Sequence, residues 1–448
     1  MRGEPFMKKE IEKDLFKLVV PEGRCDSRFL SIRNLPENEA TRLMMNEVFQ
    51  KFHDADGNFV EQLQTTGFDA RVFELYLFAY LWDGAYDISR DFDRPDFIIE
   101  MNGTRVALEA TTSNPTAGFN PDEEVTPSSK EDMQEKLLHE LPIKLGSPLF
   151  SKLRKKYWEL PQCKEIPFVL AIEPFHETES LSYSSSSLIQ YLYGQKDTVV
   201  EDSEGKKSIE TSPLSEHRSG SKVIPSGFFS LPDTENISAI IYTNAGTVAK
   251  FKRLGFHYGY FTRYSKIMRI GTCYDPDPNA YEPQTFTYDL SEREIEPWGE
   301  GLVVCYNPHA KYPLPRSFFV EAAEYYIEGN QLFCDIPKFF PYQSKTFHDM
   351  TSYFPLETPP KWVTPITKSF VNLKVIRMEH PLYTELEWYM EKKSKKIGIV
   401  LRDNNDEDFS IVLFKKVAGK YEFARNDINF VTIGQARKKL FQYLLLKT

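Results

Sequence analysis

The chain has 448 residues, 41% of them hydrophobic and 14% aromatic, with a formal net charge of −10. That is too long for one ordinary core and too apolar for a disordered chain, so two or three domains are expected. The acidic balance excludes a protein that coats nucleic acid by bulk charge, while leaving room for a local basic groove.

The N-terminus lacks the apolar core of a secretory signal, and no run approaches the roughly 18 apolar residues of a membrane span. Cys25, Cys163, Cys273, Cys305 and Cys334 are far apart with no CxxC pair. A zinc ribbon or disulfide scaffold is therefore not expected, and a reducing, cytoplasmic setting is.

In chain order, residues 1–60 read as an N-terminal helical extension, with a helix over 37–53. Phe68 to Trp82 is the densest apolar segment, free of internal Gly and Pro and bracketed by Gly67 and Gly84, which predicts a buried helix. Phe92 to Thr112 predicts two strands around Asn102-Gly103, the strongest short-range hairpin signal. A polar loop (113–128) and a charged amphipathic region (130–160) precede an apolar strand at Ile166–Ile172. Ser184–Tyr193 predicts a short helix, and residues 195–236 a long polar surface insertion. Ile237–Thr243 and Leu302–Tyr306 predict further buried strands, and Phe318–Ile327 a helix. Pro-rich residues 336–390 read as a linker. Residues 391–448 read as a small α+β domain: a three-stranded meander closed by a basic helix bearing Arg437, Lys438 and Lys439, with Lys447 just past its end.

The hairpin carries the most informative chemistry. A two-residue turn at Asn102-Gly103 pairs Met101 with Thr104, Glu100 with Arg105, Ile99 with Val106 and Phe97 with Leu108, and brings Asp96 opposite Glu109. Glu100–Arg105 is a favourable pair, whereas two opposed carboxylates repel unless a cation lies between them. Mg²⁺, satisfied by one or two carboxylates and its own waters, resolves that conflict. A solvated hairpin end is the plain alternative. Glu74, an acid inside the apolar helix, needs a partner. Either an arginine such as Arg71 or Arg94 pairs with it, or it joins the acidic cluster.

Helix with Glu74, then Pro95-Asp96, then Glu109-Ala110-Thr111 across a hairpin resembles the PD-(D/E)XK nuclease superfamily over roughly residues 65–175. The resemblance implies an α/β, restriction-endonuclease-like domain over 61–335, its central mixed sheet flanked by helices. It also implies Mg²⁺-dependent (or Mn²⁺-dependent) phosphodiester hydrolysis with DNA the favoured substrate, as in bacterial restriction or anti-phage defence. Asp96, Glu109 and the Ala110 carbonyl would bind metal, with Glu74 holding a second ion or a water. Thr111 stands where the family has its lysine. A lysine supplied by the following helix is the expected substitute, Lys152 first and Lys156 second. Arg94, opposite Thr111 in this register, could stabilise phosphate charge.

Residues 245–272 hold Lys250, Lys252, Arg253, Arg263 and Lys266 among aromatics, with no acid. That composition suits a groove that tracks a phosphate backbone, or else a solvated basic surface over core aromatics. His309, after a strand, reads as a turn residue. No HExxH, P-loop or GxGxxG is present. The other function class open at this level is a catalytically inactive nuclease fold. It would bind nucleic acid or serve as a structural subunit that meets a partner protein through the C-terminal domain.

Overall fold

The computed structural model describes residues 13–349 except 56, 117–126, 128, 204, 206, 261–265 and 278–279. Beyond them it describes 369–370, 373–380, 383–391, 396–403, 409–417, 420–430, 435–436, 439–440 and 443. The chain divides into two compact units, one of Met1–Arg33, Asn38–Tyr260 and Met268–Thr346, the other of Asn34–Glu37, Phe261–Ile267 and Phe347–Thr448.

The larger unit begins with α1 (Ser27–Asn34), α2 (Glu39–Lys51), α3 (Phe59–Gln64) and α4 (Phe68–Asp83). Next come β1 (Asp87–Ser89), β2 (Phe97–Met101) and β3 (Thr104–Ser113). Then α5 (Lys130–Glu135) runs through a π-turn into α6 (Leu141–Leu153) and leads to β4 (Phe168–Pro174). After α7 (Ser186–Tyr193), residues 195–225 form two hairpins, β5 (Gln195–Glu201) with β6 (Lys207–Pro213) and β7 (Glu216–Ser219) with β8 (Lys222–Pro225). The polar insertion expected there is thus locally folded. The unit continues with β9 (Ala239–Thr243), α8 (Val248–His257), β10 (Lys266–Cys273), β11 (Gln284–Asp289) and β12 (Leu302–Tyr306). Then come β13 (Ala323–Glu328), β14 (Gln331–Asp335) and β15 (Pro341–Asp349), whose residues 347–349 are counted with the smaller unit.

Its centre is an eight-stranded mixed sheet in the order β1-β2-β3-β4-β9-β12-β13-β14, and β11-β10-β15 make a smaller sheet. β3, β4 and β9 run parallel, and β12 pairs antiparallel with β9 and parallel with β13. β4, β9 and β12 are buried along their whole length, as unbroken apolar runs demand of strands covered on both faces. The period of two divides their side chains. Val169, Ala171, Ala239, Ile241, Leu302 and Val304 join one core with α4 and the N-terminal helices. Leu170, Ile172, Ile240, Tyr242, Val303 and Cys305 join the other with α6 and α7. Phe29, Met45, Phe49 and Phe52 belong to the first core, so the N-terminal helices are layers of this unit.

The hairpin has the expected register from Phe97↔Leu108 to Met101↔Thr104. Asn102 and Gly103 both take positive φ, 51° and 76°, as a type I′ turn requires. Glu100 and Arg105 face each other, but no ion pair links these two exposed side chains among the described residues. Phe318–Ile327 departs from the expected helix. Ser317 and Glu321 adopt left-handed backbone with φ of 58° and 62°, which interrupts a helical run, and Ala323 onward pairs with β12.

The smaller unit carries β16 (Ser369–Phe370), β17 (Leu373–His380), β18 (Tyr383–Glu391), β19 (Ile397–Asp403), β20 (Phe409–Val417) and β21 (Lys420–Phe430), a six-stranded sheet in sequence order. Residues 336–390, read as linker, therefore include β15 and nearly all of three strands of this meander, β16, β17 and β18. Ala436 and Leu440 are helical and buried against Val400, Phe409 and Ile411. Gly398 makes room for Leu440, whose Cδ1 would collide with a Cβ there. Arg437, Lys438 and Lys447 lie outside the described residues.

Candidate active site

Glu109 lies on β3 beside Ala107, which faces the α6 core. The alternation that buries Val106 and Leu108 on the opposite face aims Glu109 toward α6. Lys152, in the last turn of α6, meets it there: Lys152 Nζ donates to Glu109 Oε1. α6 buries Leu145, Leu149 and Leu153, which leaves Lys152 on the flank of that stripe with its head group free to reach the sheet.

Asp96 stands just ahead of β2. Its N–H donates to Glu109 Oε2 at 3.1 Å, and its Oδ2 accepts from the Ala110 N–H at 2.7 Å. The two carboxylates are thus joined through backbone donors across the hairpin's open end. Burial pushes the Asp96 carboxyl well above the usual carboxylate range; the Glu109 and Glu74 charges push the same way, and Lys152 and the Ala110 N–H act against them. An acid crowded by a second acid is a place where added positive charge is stabilising. Asp96 Oδ1 has no hydrogen-bond partner among the described residues.

Glu74 is buried on α4, on the opposite face of the sheet from α6. Arg71, one turn back, donates through Nη1 to Glu74 Oε2, and Arg90 Nη2 donates to Oε1 at 2.6 Å. Both oxygens are occupied. The reading of Glu74 as a third metal-bound acid is therefore replaced by an arginine clasp. One expected partner, Arg71, is found; the other is Arg90, not Arg94. Arg90 is fixed by Nε donating to the His53 carbonyl at 2.9 Å and by its guanidinium lying 3.9 Å from the Phe52 ring centroid. Sequence reasoning missed it because Arg90 lies in a short polar stretch with no periodic signal.

Thr111 pairs along β4 with Ile172 and does not replace the lysine. Arg94 is not opposite Thr111, since the β2–β3 ladder ends at Phe97↔Leu108. Lys156 is also not a substitute. α6 ends at Leu153, and Lys156 takes left-handed backbone with φ 50° and pairs with Asp233 at 3.1 Å.

The basic segment 245–272 is corrected in part. Lys250 and Arg253 are buried, and both pair with Glu296, at 3.8 and 2.8 Å. Arg269 also binds Glu296, at 2.8 Å, and reaches Glu300 as well. Burial pushes the Lys250 ammonium down to about 8 against the pull of Glu296 and Glu300. Burial alone would raise the Glu296 carboxyl, but Arg253, Lys250 and Arg269 hold it well below its ordinary range. Lys250 and Arg253 are thus core ions and do not line a phosphate groove. Lys252 is half-buried on α8, Lys266 opens β10, and Arg263 lies outside the described residues.

A further buried acid, Glu173, ends the apolar run of β4. Neither of its carboxyl oxygens has a hydrogen-bond partner. Burial pushes it well above the carboxylate range, and the nearby Gly246 N–H tempers the rise without bonding. Its position was legible as the lone acid in Val-Leu-Ala-Ile-Glu-Pro.

Among the described residues no group of three or more His, Cys, Asp and Glu converges as a metal cluster. The two acids Asp96 and Glu109, with the free Asp96 Oδ1, fit an ion such as Mg²⁺ that takes one or two carboxylates and otherwise water. No helix among the described residues is long and apolar enough to cross a membrane. No protein-family model, curated protein or solved structure matches the chain.

Proposed function

We propose that the chain is a divalent-metal-dependent nuclease of the PD-(D/E)XK type, hydrolysing phosphodiester bonds with DNA the favoured substrate. One observation carries this reading: Lys152, from the helix after the motif strand, joins Glu109 beside Asp96 and so makes good the missing lysine at Thr111. The order α4, β1, β2, β3, α6, β4, with β3 and β4 parallel, supports a restriction-endonuclease-like core.

In this reading Asp96 and Glu109 hold a Mg²⁺ or Mn²⁺ ion. The ion, when bound, polarises the phosphoryl group and lowers the pKa of a coordinated water. The chain's own groups do the rest. The Ala110 N–H orients Asp96, Lys152 orients Glu109 and offers positive charge to developing negative charge on phosphate, and the Arg71–Glu74–Arg90 clasp fixes α4 against the sheet.

A second reading is an inactive nuclease-fold binding module or structural subunit. It is favoured by the occupation of both Glu74 oxygens, which leaves two acids at the site. The test is incubation with plasmid, linear duplex and single-stranded DNA and with RNA, in Mg²⁺ or Mn²⁺, beside Asp96→Ala. Metal-dependent cleavage that vanishes in the variant supports the nuclease. Cleavage that survives the substitution overturns the site, and no cleavage on any substrate favours the binding module.

A further inference from the structure

Beside the carboxylates, three cations gather on one aromatic ring. Tyr157 follows α6 in a 3₁₀ turn and is 6% exposed. The Arg94 guanidinium lies 5.8 Å from its ring centroid, Lys155 Nζ 5.7 Å and Lys152 Nζ 6.0 Å. Gln162 donates to the Arg94 carbonyl, tying the loop before β2 to the segment after α6. Arg94 is therefore delivered to Tyr157 by the fold and does not reach it by chance rotation of a long side chain.

The acids nearby leave this cluster under-compensated. Lys152 is engaged by Glu109. Arg94 has Asp93 at 3.5 Å, but those side chains are 60% and 74% exposed, and such a pair contributes little. Lys155 is exposed and forms no salt bridge among the described residues. Asp233 is taken by Lys156, and Glu159 is exposed in the same turn as Tyr157. Each cation is attracted to the ring, and like charges repel one another there. In a chain of net charge −10, such a gathering is best relieved by an anion that presents charges in series.

Resting on the reading of the neighbouring carboxylates as a nuclease centre, we propose that Arg94 and Lys155 clamp the phosphodiester backbone of DNA on one side of the cleavage site. The Tyr157 ring positions the two cations. The clamp is assigned to backbone charge, which carries no sequence information, and equal binding of two unrelated sequences tests that assignment. It takes the role that the 245–272 segment suggested from sequence.

The test is fluorescence polarisation of a short fluorescein-labelled DNA duplex with the full chain in EDTA, titrated over a series of NaCl concentrations. Arg94→Ala/Lys155→Ala is expected to weaken binding and to flatten the slope of log affinity against log salt by about 2, roughly one per lost phosphate contact. Arg94→Lys/Lys155→Arg, which keeps both charges, is expected to retain the wild-type slope. A second duplex of unrelated sequence is expected to bind equally. Thermal melting of the double variant separates lost contacts from lost fold. An unchanged slope in the folded double variant, or a wild-type chain that binds no DNA, overturns the clamp. The nuclease reading fails separately, on absence of metal-dependent cleavage, which this metal-free measurement does not involve.

Discussion

Replacing Glu74 by glutamine separates a structural clasp from a catalytic acid. The substitution keeps size and removes the charge that both arginines share. The Glu74 side chain is 5% exposed, that of Arg90 8% and that of Arg71 16%. Breaking a buried ion pair by removing one partner costs about 3–5 kcal/mol, because the remaining charges stay buried. Here the low end applies. Arg71 keeps Gln62 and Asn58 as acceptors, and Arg90 keeps the His53 carbonyl and the faces of Phe52 and Phe97. A loss of about 3 kcal/mol lowers the melting temperature of a domain this large by about 5 °C. Calorimetry of Glu74→Gln is expected to find that decrease, with cleavage at a temperature well below melting reduced only modestly. A variant that melts like wild type yet has lost all metal-dependent cleavage would refute the clasp and return Glu74 to the metal site.

Lys152→Met removes the cation that faces Glu109 and is expected to cut the cleavage rate by about 10²–10³, the usual cost of losing one electrostatic stabiliser of the transition state; plasmid-nicking kinetics at saturating Mg²⁺ measure it, and an unchanged rate removes Lys152 from the site. Glu173→Gln tests the unpartnered acid of β4. Its folded-state pKa is raised, so its contribution favours the folded state fully below the ordinary carboxylate pKa and is lost as pH rises toward the folded value. The glutamine variant should accordingly flatten the fall in stability above the ordinary carboxylate pKa, and so gain more relative to wild type at pH 8 than at pH 4; urea melts at both values decide it, and equal differences at the two would contradict a neutral buried Glu173. Arg253→Met should lose about 3–5 kcal/mol of stability, since Glu296 forfeits a buried partner, while the salt dependence of DNA binding stays at wild-type slope; a flatter slope in the folded variant would put Arg253 back on a phosphate surface.

The hairpin was legible because two local rules agree there. Asn-Gly accepts positive φ at both turn positions, and the period of two then sorts Ile98 and Ala107 from Phe97, Ile99, Val106 and Leu108. Lys152 was legible for a similar reason, as the flank of a buried leucine stripe. What failed depended on distant chain. Composition in 245–272 carries no trace of Glu296, 43 residues beyond Arg253, folding back to bury it. The helix expected at 318–327 was lost to pairing with β12, a tertiary demand that overrides local propensity. Arg90 reached Glu74 across 16 residues from a segment without periodicity.

The sheet divides the charges of the site between its two faces, and Asp96 stands where neither face brings a cation into contact with it among the described residues. On the α6 side Glu109 has Lys152; on the α4 side Glu74 has Arg71 and Arg90. Each of these carboxylates is matched by a cation held in contact. Asp96, at the hairpin's open end, meets a backbone N–H and lies within the fields of both other acids. Burial is the first cause of its raised carboxyl, and the Glu109 and Glu74 charges add to it. In the proposed nuclease a divalent ion seated there would add positive charge toward a phosphodiester, which Lys152 and the Tyr157 cluster would extend outward. In this reading a lysine two secondary-structure elements from the motif suffices, because the site needs a cation beside Glu109 and is indifferent to which strand or helix supplies it.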